Sequence, residues 1–356
     1  APLFESIQMI SAAAGWAITG GPGQGIARTS DGGRTWEQVQ VQAAPQVASF
    51  VSATEAWVVA GGPPPGGGPA GAPAPPAEVD HTTDGGATWT RGTPFAATGA
   101  PVSLQMRGRS GWMSTERTPT GTGAEVFTTA DGDSWHRTNS PATCPGGGRA
   151  SLFFLSDLRT GFLTDFCANS TEPVLNRTRD GGRSWSAIHL AAPRGYRRGA
   201  QGDGLCEVGQ PVFFDRLHGF VDGACGFTTG ANPLQYAALY ETADGGTRWS
   251  AHTTPAIGSL QMTSSSVGYL VGVSQAYVYT FYRTHDGGRS WVKAVPPPFI
   301  SSAGFPVDIA FINSSTGWAV AVGGTEPAMW MTRDGGNSWV NLRTKIGMSI
   351  SASPTP

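Results

Sequence analysis

The chain has 356 residues, of which 13% are charged, with a formal net charge of −2, 51 glycines and 27 prolines. This balance offers no electrostatic handle for nucleic acid or an anionic membrane surface, and no apolar run approaches the roughly 20 residues that span a bilayer. Low charge with so many turn residues suits an all-β chain.

In the first repeat "ESIQMI" reads as an inner strand, "GWAITG" as a second and "GIARTS" as a third. A turn, "TSDGGRTW" (29–36), then leads into the outer strand "WEQVQV". That turn returns in chain order as "TTDGGATW" (82–89), "TADGDSW" (129–135), "TRDGGRSW" (178–185), "TADGGTRW" (242–249), "THDGGRSW" (284–291) and "TRDGGNSW" (332–339). The aspartates are Asp31, Asp84, Asp131, Asp180, Asp244, Asp286 and Asp334, and successive gaps are 53, 47, 49, 64, 42 and 48 residues. Such a period marks a repeat array in the range of propeller blades. A catalytic acid or metal ligand is needed once, so seven copies point to architecture. The chemistry agrees: Asp accepts backbone N–H bonds from the residues just after it, the Gly pair supplies positive φ, and the Trp returns apolar area to the next strand. Trp36, Trp89, Trp135, Trp185, Trp249, Trp291 and Trp339 close the boxes. The third copy is one residue shorter, with Asp133 in place of the second Gly, and predicts a distorted turn.

Each box is preceded by a small residue and an aromatic: Gly15-Trp16, Ala56-Trp57, Gly111-Trp112, Gly161-Phe162, Gly219-Phe220, Gly268-Tyr269 and Gly317-Trp318. Four short strands per repeat define a propeller blade. The expected fold is therefore an all-β, seven-bladed propeller in one domain over 1–345, with the boxes between third and fourth strands. The blades fall at about 3–42, 45–94, 100–140, 149–190, 209–254, 257–295 and 305–343. The order of strands allows the ring to close without sharing a blade between the termini. Residues 346–356 read as a tail or a closing strand.

Four cysteines bracket two hairpins, Cys144 with Cys167 and Cys206 with Cys225, and none forms a CxxC pattern. Because hairpin ends meet, we expect disulfides Cys144–Cys167 and Cys206–Cys225 and an oxidising compartment, secreted, periplasmic or cell-surface, after removal of a leader. The alternative is four buried thiols. Long loops at 61–77, 191–204 and 226–235 emerge on the face opposite the boxes, where a rigid scaffold commonly carries its function.

The joint pattern resembles the Asp-box (BNR-repeat) propellers, and among them most the photosystem II stability/assembly-factor-like family. The resemblance covers residues 3–343 and implies an extracytoplasmic binding or assembly protein without chemistry of its own. Similar boxes occur in sialidases and xyloglucanases, so an Asp-box glycoside hydrolase is the competing class. A sialidase needs a Tyr nucleophile paired with a Glu, for which Tyr236 or Tyr277 with Glu207 stand by exclusion, yet no "RIP" segment is present. A carboxylate pair for glycoside hydrolysis would come from Glu116, Asp165, Asp222, Glu207 and Asp308. No tryptophan remains on the long loops to offer a sugar platform, and the six histidines lack metal-ligand spacing. No metal or cofactor is expected. The loop "PRGYRRG" (193–199) gathers Arg194, Tyr196, Arg197 and Arg198, a composition favoured at binding hot spots; a solvated loop is the plainer alternative. The expected partner is a protein, peptide or saccharide, the expected state a monomer.

Overall fold

The computed structural model describes residues 3–20, 24–41, 44–64, 75–116, 124–141, 150–165, 172–194, 196, 206–225, 236–273, 279–297, 307–321 and 328–347. The described residues form seven sheets, antiparallel except for one terminal strand, in the arrangement of a seven-bladed propeller, with no helix among them. Within a blade the strands run from inner to outer in sequence order, as in blade six: Ile257–Met262, Gly268–Val273, Tyr279–Thr284 and Val292–Ala294.

The pair of small residue and aromatic has a steric cause. The inner strand ends in a Met or Phe that lies flat across the small residue opening the second strand. A Cβ on Gly161 would stand 2.5 Å from the Phe154 ring, and one on Gly268 would stand 2.2 Å from the Met262 sulfur. The aromatic that follows turns to the other side and stacks on the next blade's inner strand, as Trp112 does on Phe154 with ring centroids 4.1 Å apart.

A second inter-blade device is polar. Gln105 of blade three takes the Phe154 N–H on Oε1 at 2.6 Å and donates from Nε2 to the Phe154 carbonyl at 3.1 Å. Gln261 of blade six makes the same pair of bonds with Phe311 of blade seven, and Gln8 of blade one donates to the Phe50 carbonyl of blade two. Each side-chain amide thus imitates a strand partner across the gap between sheets.

In the first box the Thr29 hydroxyl donates to Asp31 Oδ1 and accepts the Gly33 N–H, while Asp31 accepts the Thr35 N–H and hydroxyl. Gly32 and Gly33 sit at φ 75° and 91°, where a β-carbon is strained. The third box departs from this pattern. The Gly132 N–H donates directly to the Thr129 hydroxyl oxygen, and the Asp133 carboxylate reaches blade two, accepting the Thr93 N–H at 2.8 Å and hydroxyl at 3.0 Å.

That contact compensates for a weak place. Blade two has three paired strands, Pro45–Phe50, Ala56–Gly61 and Ala77–Thr82. Its fourth position is held by two bridges only, His81 with Thr90 and Ala77 with Phe95. Pro94 has no N–H for a ladder, and a Cβ on Gly92 would stand 2.4 Å from the Val79 carbonyl oxygen, so the chain passes Val79 closely only with glycine there.

The chain end joins the ring. Lys345–Gly347 lies parallel on Thr35–Val39 as a fifth, outermost strand of blade one, so the termini do share a blade. Thr344 donates to the Gly33 carbonyl, Trp318 Nε1 of blade seven donates to the Gly32 carbonyl, and Phe4, Trp36, Val320 and Met329 close an apolar seam between the first and last blades. Residues 348–356 lie outside the described residues. Blade five starts at Cys206, ahead of the expected 209.

The box hydrogen bonds hold the carboxyls of Asp84, Asp180, Asp286 and Asp334 down at about 2. A depressed folded value stabilises above the unfolded value of about 3.9 and is lost below it. The boxes' contribution to the melting temperature is therefore expected to be constant above about pH 4, and the melting temperature to fall steeply between about pH 4 and 2, with the steepness reduced in Asp286→Asn; calorimetric scans across that range measure it.

Candidate binding site on the loop face

The end of blade five away from its box is stapled. Cys206 opens the inner strand Cys206–Val208, Cys225 closes the second strand Gly219–Cys225, and the two are paired and joined by a disulfide with Cα atoms 4.2 Å apart. Cys144 and Cys167 lie outside the described residues. So do Arg197, Arg198 and Tyr277, residues 226–235, and most of 61–77 and 191–204.

Of the "PRGYRRG" loop, Arg194 and Tyr196 are described. The Tyr196 N–H closes a turn on the Pro193 carbonyl, and its ring packs at 60° on Tyr236 with centroids 5.4 Å apart. Tyr196 remains 43% exposed, whereas Tyr236 is buried with its hydroxyl 3.4 Å from the Cys225 sulfur. An exposed aromatic thus stands on a disulfide-braced base, which lowers the entropy lost when a partner covers it.

The strand register disposes of the Tyr236–Glu207 pair. Cys206, Cys225 and Tyr236 are successive partners across three strands, and so are Glu207, Ala224 and Ala237. Neighbouring residues on a strand point to opposite sides of the sheet. Tyr236 therefore faces blade four and Glu207 faces blade six, which separates the proposed nucleophile from its partner.

The same register brings Glu207 together with Asp222. Gly209 donates its N–H to the Asp222 carbonyl, which sets Asp222 opposite Gly209 and diagonal to Glu207 on one face. Both line a half-open cavity of about 240 Å3 between blades five and six, with Ala237, Ala256, Ile257 and Leu270 among the other walls. Gly209 makes the room: a Cβ there would stand 2.0 Å from Asp222 Oδ1. Burial pushes Asp222 up to about 6, with the Glu207 charge adding to the rise, and burial raises Glu207 as well.

Of the other nominated acids, Asp308 and Glu116 line neither this cavity nor one another's surroundings. Asp308, raised by burial, accepts the Ser259 hydroxyl at 3.1 Å and the Ile309 N–H, tying blade seven to blade six. Glu116 lies with Glu5, Gln24 and Gln46 around a larger cavity of about 740 Å3 among blades one to three, which sequence reading missed. The Asp165 side chain lies outside the described residues. Each box aspartate bonds within its own turn. No group of three or more His, Cys, Asp or Glu among the described residues is arranged to hold a metal ion, and no described helix is long and apolar enough to cross a membrane.

The fold defines the class as a seven-bladed β-propeller. No protein-family model matches the chain, and no curated protein matches it. Among solved structures it is similar to YCF48 bound to D1 peptide, at 17% identity and a TM-score of 0.60, covering 94% of this chain and 92% of that one. It is also similar to the GH74 xyloglucanase from Xanthomonas campestris, at 15% identity and a TM-score of 0.66, covering 94% of this chain but 52% of the enzyme. A polysaccharide lyase of family PL25, an ulvan lyase, matches at 12% identity and a TM-score of 0.54, over 85% of this chain and 83% of that one. The chain thus spans about half the length of the xyloglucanase. These likenesses bear on the fold.

Two measurements follow from this geometry. Cleaving the Cys206–Cys225 bridge, by reductant or by paired Cys→Ala substitutions, is expected to lower the unfolding free energy by about 2–4 kcal/mol in denaturant titrations. An acid whose folded value is raised destabilises above that value and ceases to do so as pH falls through it. Asp222→Asn is accordingly expected to raise stability at pH 7 by about 1–3 kcal/mol, the gain shrinking from about pH 6 to pH 4.

Proposed function

We propose that the chain is an extracytoplasmic binding scaffold without chemistry of its own, recognising a protein, peptide or saccharide through the loop face opposite the boxes. A peptide is the best supported of the three. The observation that carries this reading is Tyr196: 43% exposed, seated on buried Tyr236 beside a disulfide, and flanked in sequence by Arg194, Arg197 and Arg198. Rigid aromatics and arginines dominate binding energies at protein surfaces, and guanidinium groups pair with peptide carboxylates in a bidentate fashion. The likeness to a peptide-bound propeller along nearly the whole of both chains supports the same reading. The disulfide supports an oxidising compartment.

The competing reading is a glycoside hydrolase of the Asp-box type, and the Glu207–Asp222 pair is what favours it. Against it, no aromatic ring to stack on a sugar is found among the described residues that line the cavity. An array of immobilised peptides of graded charge, probed with the purified protein, tests the scaffold. Binding to a subset is expected, weakened at least about tenfold by Tyr196→Ala and by the double change Arg197→Glu with Arg198→Glu. A bare array, or turnover of fluorogenic glycosides that vanishes in Asp222→Asn, would overturn the scaffold reading.

A further inference from the structure

We propose that blades four and five, on the face that carries the boxes, dock an acidic and partly apolar segment of a partner protein. Its carboxylates would meet a cluster of arginines while its apolar side chains cover Leu158, Phe214 and Leu217. This surface lies on the opposite side of the ring from Tyr196 and goes beyond the scaffold reading. Every turn on the box face falls within the described residues. The turns 155–160, 178–185, 214–218 and 242–249, with Arg177 beneath them, hold six arginines and four aspartates in a chain of net charge −2. The aspartates are occupied: Asp157 accepts the Arg159 and Thr160 N–H groups, Asp180 the Ser184 N–H, Asp215 the Leu217 and His218 N–H groups, and Asp244 the Thr247 and Arg248 N–H groups. Arg159, Arg177, Arg179, Arg183, Arg216 and Arg248 form no ion pair among the described residues, whereas Arg91, Arg137 and Arg289 elsewhere do.

Two guanidiniums converge on one neutral acceptor. Arg177 Nη1 at 2.8 Å and Arg179 Nη2 at 3.1 Å both donate to the Thr247 hydroxyl oxygen, whose own proton goes to the Asp244 carbonyl at 3.2 Å. Arg177 is 9% exposed and lies over the Phe162 ring, and its buried Nε has no acceptor. Burial, and then the charge of Arg179, works against its cationic form, yet a guanidinium does not give up its proton in a protein. A buried cation beside a second cation destabilises a fold until an opposite charge comes to it. Exposed Arg179 presents the donors for a carboxylate, and Arg177 adds charge from below. Apolar side chains flank this point. Leu217 gives its carbonyl to the Gly245 N–H in the box of Thr247, and Leu158 belongs to the turn whose Arg159 carbonyl takes the Gly181 N–H in the box of Arg179. Leu217 is 52% exposed, Phe214 of the same turn is exposed too, and Leu158 is presented from a backbone at φ 57°, where glycine is the usual residue. Arginine and aromatic residues are enriched in the cores of protein interfaces, and guanidiniums pair with carboxylates in a bidentate fashion. A lipid surface fits less well, because the four aspartates set among the arginines repel a uniformly anionic plane.

Fluorescence anisotropy at low salt with a labelled peptide of alternating Glu and Leu tests the surface. Analogues with Gln for Glu or Ser for Leu, inorganic phosphate as competitor, and co-sedimentation with phosphatidylglycerol vesicles run beside it. Saturable binding of the Glu–Leu peptide is expected, at least about tenfold tighter than either analogue and weakened by added sodium chloride. Arg179→Glu and Leu217→Ser, both at exposed positions, are each expected to lower the affinity at least about fivefold with the melting curve unchanged. Absent binding, equal binding of either analogue, indifference to either substitution, displacement of the peptide by an equal concentration of phosphate, or a preference for vesicles would overturn the proposal. Absent binding here, beside Tyr196-dependent binding that survives on the peptide array, would overturn this inference alone.

Discussion

The second glycine of a box answers to two demands at once, and the ring depends on their being met in the same residue. Its backbone sits in the left-handed region so that its N–H can reach the Thr hydroxyl, and its missing side chain leaves a hollow for the blade before. At Gly336 that hollow takes the Phe281 ring, 2.3 Å from where a Cβ would be, and at Gly33 it takes the sulfur of Met329 across the closing seam. The turn that reverses the chain is therefore also the socket into which the neighbouring sheet plugs. The carboxylate at the turn's entrance holds this socket in shape, which is why its charge is spent on backbone and hydroxyl donors rather than on a ligand.

Where a repeat departs from the pattern, the departure is answered nearby. Blade two runs no regular fourth strand across Gly92 and Pro94, where two bridges alone are formed. The substituted third box supplies Asp133 to hold that same segment through Thr93. In blade five the inner strand breaks between Val208 and Val212, and the break lets Gly209 stand against Asp222. A disulfide one step further along restores the edge that the break weakens. The irregular blade is thus the one that carries both the braced Tyr196 and the two-carboxylate cavity, with its sheet walling one from the other.

Much of the fold was legible because it rests on local signals repeated seven times: turn chemistry, a two-residue alternation and a fixed order of strands. The Cys206–Cys225 bridge was legible for a similar reason, since a hairpin brings its own ends together. Other features were spelled out in the letters without being readable. The Gln of "SIQM" and "SLQM" looks like an exposed polar residue on an inner strand, yet it bonds the backbone of the following blade. The candidate site was read unevenly: Tyr196 was singled out from its composition, Glu207 was offered both Tyr partners and an acid partner, of which the register sets Tyr236 aside and brings Asp222 near, and the cavity by Glu116 was not anticipated.

Sequence alone determined the period, the seven turns and the all-β character, because each is encoded within a few neighbouring residues. Only the tertiary structure decided that the last strand pairs in parallel with blade one and that Asp133 braces a different blade. It alone decided, too, that Glu207 turns toward Asp222 and away from Tyr236. The physical reason is register: a shift of one residue sends a side chain to the opposite side of its sheet, and the registers that matter here are set by contacts between segments distant in the chain.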